Sequence, residues 1–101
     1  MKMKNRDRGK RCESFFATDL GGKRMGVLSG EDVQLDEYSL EIKSREKIPK
    51  FIEKAMNQAV GNCPDGKIPI FILHCLTKKH DLDIIFMYYK DWKKLIKKEK
   101  K

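Results

Sequence analysis

Residues 32–43, DVQLDEYSLEIK, contain two short stretches with the alternation of a β-strand, separated by Asp36-Glu37. Polar residues between two such stretches are typical of a tight turn, so the segment predicts an antiparallel hairpin. In the second stretch Glu41 and Lys43 alternate with apolar residues. Both charged side chains therefore lie on one face of the strand, about 7 Å apart. The hairpin is thus predicted to present a carboxylate and an ammonium group side by side.

The segments on either side of this hairpin predict further helices and strands. Upstream, a helical apolar pattern ends at Gly21-Gly22, and a strand follows at about residues 23–28. Downstream, Pro49 suits the first turn of a helix, residues 68–76 are typical of a strand buried on both faces, and residues 82–89 predict another strand. A short lysine-rich helix ends the chain. The predicted order is α-β-β-β-α-β-β-α, an α/β fold with a mixed central sheet flanked by helices.

Charge is concentrated at the two ends of the chain. The protein has 101 residues and a formal net charge of +8. Residues 1–11 carry six basic residues against one acidic, and residues 90–101 carry seven against two, so each end is +5 and the middle is slightly acidic. The length predicts a single domain, residues 1–101, with a basic N-terminal arm (1–9) and a lysine-rich C-terminal end (90–101). Such ends either attract a polyanion or serve only as solvated tails.

The cysteine and histidine patterns predict neither a zinc site nor disulfide bonds. The three cysteines form no C-x-x-C pair, and no second cysteine or histidine stands at zinc-ligand spacing. His74, at the end of an apolar strand, and His80, in a polar turn, are interpreted as structural or solvent-exposed, although either could be a general base. No apolar stretch reaches transmembrane length, which predicts a soluble, cytoplasmic protein.

The hairpin also carries the candidate chemistry. Asp32 and Glu41 fall on neighbouring strands, where their carboxylates can share a divalent cation if both point to the same face. The Ile42 backbone carbonyl would be a further oxygen ligand, and Lys43 would stabilise a hydroxide or the charge on a phosphate. The alternative is a solvated ion pair, which E-x-K on a half-exposed strand commonly forms.

Two residues outside the hairpin could support this site. Glu13 lies at the margin of the buried face of the first helix, where it could contact the metal directly or through its surroundings. Gln58 lies at the edge of the apolar face of the second helix and could orient Lys43 or a water molecule. A peripheral glutamate is the alternative for Glu13.

These residues resemble a known nuclease signature. Asp32 with Glu41-x-Lys43 resembles the PD-(D/E)xK signature of the restriction-endonuclease-like superfamily, with Glu31 in place of the proline. The predicted element order is similar to the core of that fold. A narrower resemblance, to archaeal-type and bacteriophage Holliday junction resolvases, spans about residues 8–90. The segments that carry it are Arg8–Glu13 (RGKRCE), Ser29–Val33 (SGEDV), Tyr38–Lys43 (YSLEIK) and Pro49–Ala59.

The resemblance implies a restriction-endonuclease-like core and a Mg²⁺- or Mn²⁺-dependent endodeoxyribonuclease. The residues it implies around the metal are Glu13, Asp32, Glu41 and the Ile42 carbonyl, and the implied catalytic lysine is Lys43. The residues it implies at DNA phosphates are Arg8, Lys10, Arg11 and Arg45, with Ser29 in a loop near the scissile phosphate. Family members are homodimers, because a four-way junction needs two opposed cuts and a two-fold axis supplies them.

The sequence therefore predicts a structure-specific DNA endonuclease that acts on four-way junctions in DNA recombination. Its expected location is the cytoplasm of a microbial or phage-infected host cell. Two alternatives stay open, a nuclease that acts on duplex ends, flaps or nicks, and a basic DNA-binding protein without catalysis.

Overall fold

The computed structural model describes residues 5–26 and 30–99, which form three α-helices, five short strands and one 3₁₀ turn. The elements are α1 (Asn5–Leu20), β1 (Lys23–Arg24), β2 (Val33–Gln34), β3 (Ser39–Leu40), α2 (Lys50–Asn62), β4 (Phe71–Leu73), the 3₁₀ turn (His80–Leu82), β5 (Ile84–Phe86) and α3 (Tyr89–Glu99). The mixed α/β class and the predicted order of helices and strands are confirmed. None of these helices has the length and apolarity that a bilayer crossing requires.

The chain divides between Glu46 and Lys47 into two compact units. The first contains an antiparallel sheet of order β1-β2-β3, and the second contains the antiparallel pair β4-β5. A single mixed sheet was predicted, whereas the described strands form two separate antiparallel sheets. The reason is that each strand pairs with its neighbour in sequence, through connections shorter than a parallel crossover needs.

The first helix ends in a turn that suits glycine. Gly21 adopts a φ of 70°, which side-chain-bearing residues rarely adopt. The Gly22 amide donates to the Ala17 carbonyl at 2.8 Å, and the Gly21 amide donates to the Thr18 carbonyl at 3.4 Å. These bonds satisfy the last carbonyls of α1, so the predicted stop at Gly21-Gly22 is confirmed.

The first sheet is organised around β2. The Leu35 amide donates to the Tyr38 carbonyl at 2.9 Å and closes the predicted turn at Asp36-Glu37. Helix α1 packs on β1 and β2. The buried apolar residues of this unit, within the described part of the chain, are Ala17, Leu20 and Val33. A small apolar core thus packs helix α1 against β2, the strand that begins directly after Asp32.

The second unit is built on α2 and a hairpin. The helix predicted near Pro49 begins at Lys50, and the Pro49 carbonyl accepts the Ile52 amide at 3.1 Å. Met56 is buried, whereas Phe51 and Val60 of the predicted apolar face are exposed. Helix α2 contacts β4. Helix α3 completes the unit and buries Ile96.

The β4-β5 hairpin carries exposed apolar side chains on both faces, since Leu73 and Ile84 are exposed as well as Ile72 and Ile85. The register pairs Phe71 with Phe86, Ile72 with Ile85 and Leu73 with Ile84. The Phe71 and Phe86 rings stack with centroids 4.4 Å apart, while Ile72 and Ile85 are 60% and 61% exposed. The prediction of a strand buried on both faces at residues 68–76 is therefore wrong, because a sheet face is buried only where another layer packs on it, and these side chains stay exposed.

Candidate active site

Asp32 makes three hydrogen bonds, one to a residue that precedes it in the chain and two to residues that follow it. Its amide donates to the Leu40 carbonyl at 3.0 Å, and its carbonyl accepts the Met25 amide at 3.0 Å. Its side-chain oxygen Oδ2 accepts the Ile42 amide at 2.7 Å. The half-buried carboxylate therefore lies against the backbone midway between Glu41 and Lys43.

The hydrogen bonds of Asp32 also explain where β3 ends. Leu40 is the cross-strand partner of Val33, and its carbonyl also accepts the Asp32 amide, so two residues face one as in a β-bulge. Two residues after Leu40, the Ile42 amide donates to a side chain instead of to a backbone carbonyl, and the strand ladder stops. Glu41-Ile42-Lys43 was predicted on the strand, whereas in the structure it follows directly after β3.

Glu41 and Lys43 form an ion pair at the surface. Lys43 Nζ lies 3.2 Å from Glu41 Oε1, and the two side chains are 79% and 57% exposed. The predicted placement of both groups on one side of the chain is confirmed. An exposed pair of this kind is worth about 0–1 kcal/mol, so either side chain can leave its partner for a ligand at little cost.

Glu13 approaches the sheet from α1. Its side chain is 18% exposed, and Oε2 lies 3.8 Å from Nε of Arg24 on β1. Glu13 stands four residues before the buried Ala17, which puts both on the same helix face. The strand order in the sheet is β1-β2-β3. Glu13 lies beside β1 and Glu41 follows β3, so β2, which begins directly after Asp32, lies between them.

The three carboxylates are not gathered into one tight group. In the described ranges, the oxygens of Glu13, Asp32 and Glu41 do not all lie within 4.8 Å of one another. The chemistry of the donors nevertheless fits a hard cation. Mg²⁺ keeps several waters and is held by one or two carboxylates, and the Asp32 and Glu41 carboxylates and the Ile42 carbonyl are oxygen donors of the kind that it prefers.

The predicted roles of Gln58 and Ser29 stay predictions. Gln58 is an exposed residue of α2, in the second unit. Ser29 lies outside the described residues, so its predicted role at the scissile phosphate stays a prediction.

Two arginines predicted at DNA phosphates share one surface depression. The depression has a volume of about 390 Å³, and its lining residues are Arg8, Ser44, Arg45 and Glu46. Arg8 reaches Glu46 at 3.9 Å, and both side chains are exposed. Lys10 and Arg11 are exposed residues of α1. The helix start and the loop after E-x-K therefore present cations to the same surface.

A second cluster of polar side chains lies at the loop end of the β4-β5 hairpin. His74 Nδ1 is 2.6 Å from Asp83 Oδ1, and His80 Nδ1 is 3.0 Å from Asp83 Oδ2. The hydrogen bonds with His74 and then His80 hold the pKa of Asp83 below its usual value. Nearby, hydrogen bonds from Thr77 lower the pKa of the exposed Cys75 thiol.

The sequence patterns did not predict this cluster, because His74 and His80 were interpreted one at a time, as structural or solvent-exposed residues. The signal that would have found it is the strand register. Leu73 pairs with Ile84, so the next residues along, His74 and Asp83, stand opposite each other. Residues 68–76 and 82–89 were predicted to be strands of a larger sheet, whereas they contain the two strands of one hairpin.

Comparison with known proteins adds no family. No protein-family model, no curated protein and no solved structure matches this chain. The geometry of its own residues is therefore what supports any function assigned to it.

Proposed function

We propose that the protein is a metal-dependent, structure-specific DNA endonuclease that resolves four-way (Holliday) junctions by paired phosphodiester hydrolysis. The observation that carries the proposal is the 2.7 Å hydrogen bond between the Ile42 amide and Asp32. It joins a carboxylate to the middle of the E-x-K sequence. A surface ion pair between Glu41 and Lys43 forms without a second carboxylate, whereas a metal site with two carboxylates requires one beside Glu41.

In this proposal Asp32 and Glu41 would hold Mg²⁺ or Mn²⁺, with the Ile42 carbonyl as a further ligand and Glu13 close to the site. The ion, when bound, polarises the scissile phosphate and lowers the pKa of a water molecule. Lys43, whose ammonium lies 3.2 Å from Glu41, would hold the attacking water near the carboxylates. It would also offset the negative charge that develops on the phosphate.

The fold proposed for this activity is the restriction-endonuclease-like core. Its support is the order of elements, helix, three strands, helix, two strands and helix. A further support is the position of the candidate residues, with Asp32 directly before β2 and E-x-K directly after β3.

DNA would be bound through its phosphates and recognised by the shape of the junction. Arg8 and Arg45 line one depression, and Lys10 and Arg11 are exposed on α1. Contacts of this type set register and orientation without reading bases. The net charge of +8 supplies long-range attraction to DNA.

The proposed enzyme works as a homodimer, because one active site in each chain makes one of the two opposed cuts. The exposed Ile72-Ile85 face of the β4-β5 hairpin is a surface that a second copy would cover. Sedimentation velocity of the wild type and of Ile72→Ser tests this arrangement. A wild-type monomer at micromolar concentration would contradict it.

The decisive experiment is cleavage of a labelled, immobile four-way junction in Mg²⁺, beside a linear duplex of the same sequence. Glu41→Ala is the inactive variant, and Glu37→Ala, which removes an exposed carboxylate from the hairpin turn, is the matched control. Paired symmetric nicks in the junction alone, lost only in Glu41→Ala, are expected. Equal cutting of both substrates would indicate a general nuclease for duplex ends, flaps or nicks.

One observation favours a second candidate, a basic DNA-binding protein without catalysis. Both Glu41 and Glu13 lie against basic side chains, Lys43 and Arg24. If these ion pairs are the role of the carboxylates, the protein binds junction DNA equally well with Mg²⁺ and with EDTA and cuts nothing. Metal-dependent cleavage would exclude this candidate.

A further inference from the structure

The two histidines of this chain meet at one aspartate within the ten-residue segment from His74 to Asp83. His74 directly follows β4, Asp83 directly precedes β5, and His80 begins the 3₁₀ turn between them. The antiparallel register brings the first two residues opposite each other, and the turn folds His80 back over His74. The imidazole rings stack with centroids 4.2 Å apart.

The ligand atoms of these three side chains form a compact set. One nitrogen from each histidine and one oxygen from Asp83 all lie within 4.8 Å of one another, and in the described ranges this is the group of three that does so. Asp83 uses both oxygens, at 2.6 Å to His74 and 3.0 Å to His80. Asp83 and His74 are half-buried, with side chains 15% and 32% exposed, whereas His80 is 82% exposed.

We propose that His74, His80 and Asp83 form a binding site for one transition-metal ion of the Zn²⁺ type. Two imidazole nitrogens with one carboxylate suit Zn²⁺, Fe²⁺ or Co²⁺, whereas Mg²⁺ and Ca²⁺ select oxygen donors alone. The site is separate from the carboxylates proposed for Mg²⁺, which belong to the first unit.

The geometry requires only a small adjustment to accept the ion. Ligands at about 2.0–2.2 Å from a tetrahedral zinc stand about 3.3 Å from one another. The hydrogen-bonded contacts are shorter, at 2.6 Å for His74 and 3.0 Å for His80, so the exposed His80 would move outward and the Asp83 carboxylate would move away from His74. The ion would replace the protons that now link the imidazoles to the carboxylate.

Three protein ligands leave the fourth tetrahedral position open. A water molecule or an external donor would occupy it, so the site is not a closed structural centre. The ion would also tie the two ends of the connection between β4 and β5. Binding would therefore stabilise the hairpin, because the ligands come together only in the folded chain.

The test uses the metal alone. The full chain, stripped with chelator and kept reduced, is titrated with Zn²⁺ in a competing indicator and with Co²⁺ in visible absorption. The informative variant is His80→Gln, since an exposed side chain can be replaced without loss of the fold. Asp83→Asn removes the shared carboxylate. Asp81→Asn removes an exposed carboxylate of the same turn and serves as its control, and Cys75→Ser tests the neighbouring thiol.

We expect one Zn²⁺ per chain, a d–d spectrum with Co²⁺, and a rise in melting temperature with Zn²⁺. Affinity should fall about tenfold or more in His80→Gln and in Asp83→Asn, and stay within about twofold in Asp81→Asn and Cys75→Ser. Binding that survives His80→Gln, or that disappears in Cys75→Ser, would overturn the proposal. Loss of junction cleavage in Glu41→Ala with Zn²⁺ binding unchanged would show that the two sites are independent.

Discussion

The two hairpins of this protein each position an aspartate at a strand end, but they use it differently. Asp32 directs its carboxylate to a backbone amide, that of Ile42, and so becomes part of the sheet. Asp83 directs both oxygens to side chains, those of His74 and His80. The first arrangement brings an aspartate to a motif ten residues further along the chain, and the second gathers three side chains from one hairpin connection. The first site contains the contiguous E-x-K pattern, whereas the second has no such pattern, because the strand register sets His74 opposite Asp83.

The largest effect is expected where the contiguous motif does chemistry. Lys43→Ala should lower junction cleavage by about a hundredfold or more, because it removes the cation beside the attacking water. Binding of the junction should change little, since Lys43 is one cation among many at the surface. Single-turnover cleavage and a gel-shift titration measure the two quantities, with Lys47→Ala as control. If binding collapsed together with cleavage, Lys43 would be a phosphate contact and not a catalytic residue.

Asp32 is both a proposed metal ligand and the acceptor of the Ile42 amide, and two substitutions separate these roles. Asp32→Asn keeps an oxygen acceptor for the Ile42 amide, so the variant should fold as the wild type does while losing cleavage. Asp32→Ala leaves that amide without its acceptor and should lower the free energy of unfolding by about 1–3 kcal/mol. Chemical denaturation measures the difference. Equal stability of both variants would mean that the hydrogen bond does not organise the hairpin.

The scaffold of the first unit can be tested at two glycines. A Cβ at Gly22 would lie 2.6 Å from the Gln34 carbonyl oxygen, whereas a Cβ at Gly9 meets nothing within 4 Å. Gly22→Ala should therefore destabilise the protein by about 1–3 kcal/mol. Gly9→Ala, in the interior of α1, should stabilise it by about 0.5–1 kcal/mol. Thermal unfolding of the two variants should give shifts of opposite sign, and shifts of the same sign would argue against the close approach of the Gly21-Gly22 turn to β2.

The smallest effect is expected for the second cluster in the absence of metal. Asp83→Ala should melt at a slightly lower temperature than Asp81→Ala, because Asp83 accepts two hydrogen bonds at the loop end and Asp81 is an exposed residue of the 3₁₀ turn. Differential scanning calorimetry in chelator measures this pair. Added Zn²⁺ should widen the difference, since only one of the two residues is a proposed ligand. A difference of the opposite sign would mean that the bridging contacts do not support the hairpin.

Much of the first site follows from local sequence. Helix α1 stops at Gly21-Gly22, and the hairpin turns at Asp36-Glu37, because turn chemistry acts over a few residues. The alternation in residues 38–43 correctly placed Glu41 beside Lys43. The contact of Asp32 with the Ile42 amide could not be predicted, since it depends on an extra residue in the strand pairing. That same irregularity ended β3 before the predicted strand end.

The sequence by itself determined the order of helices and strands, the turns and the E-x-K pair, because periodicity and turn residues act locally. Only the tertiary structure decided that β4 and β5 form a separate hairpin with exposed apolar side chains on both faces. It also decided that His74, His80 and Asp83 meet, since contacts across a hairpin depend on strand register and on the conformation of the connection. Apolar composition alone specifies neither the pairing of β4 with β5 nor the cluster at its loop end, because the same side chains suit a buried strand and a hairpin.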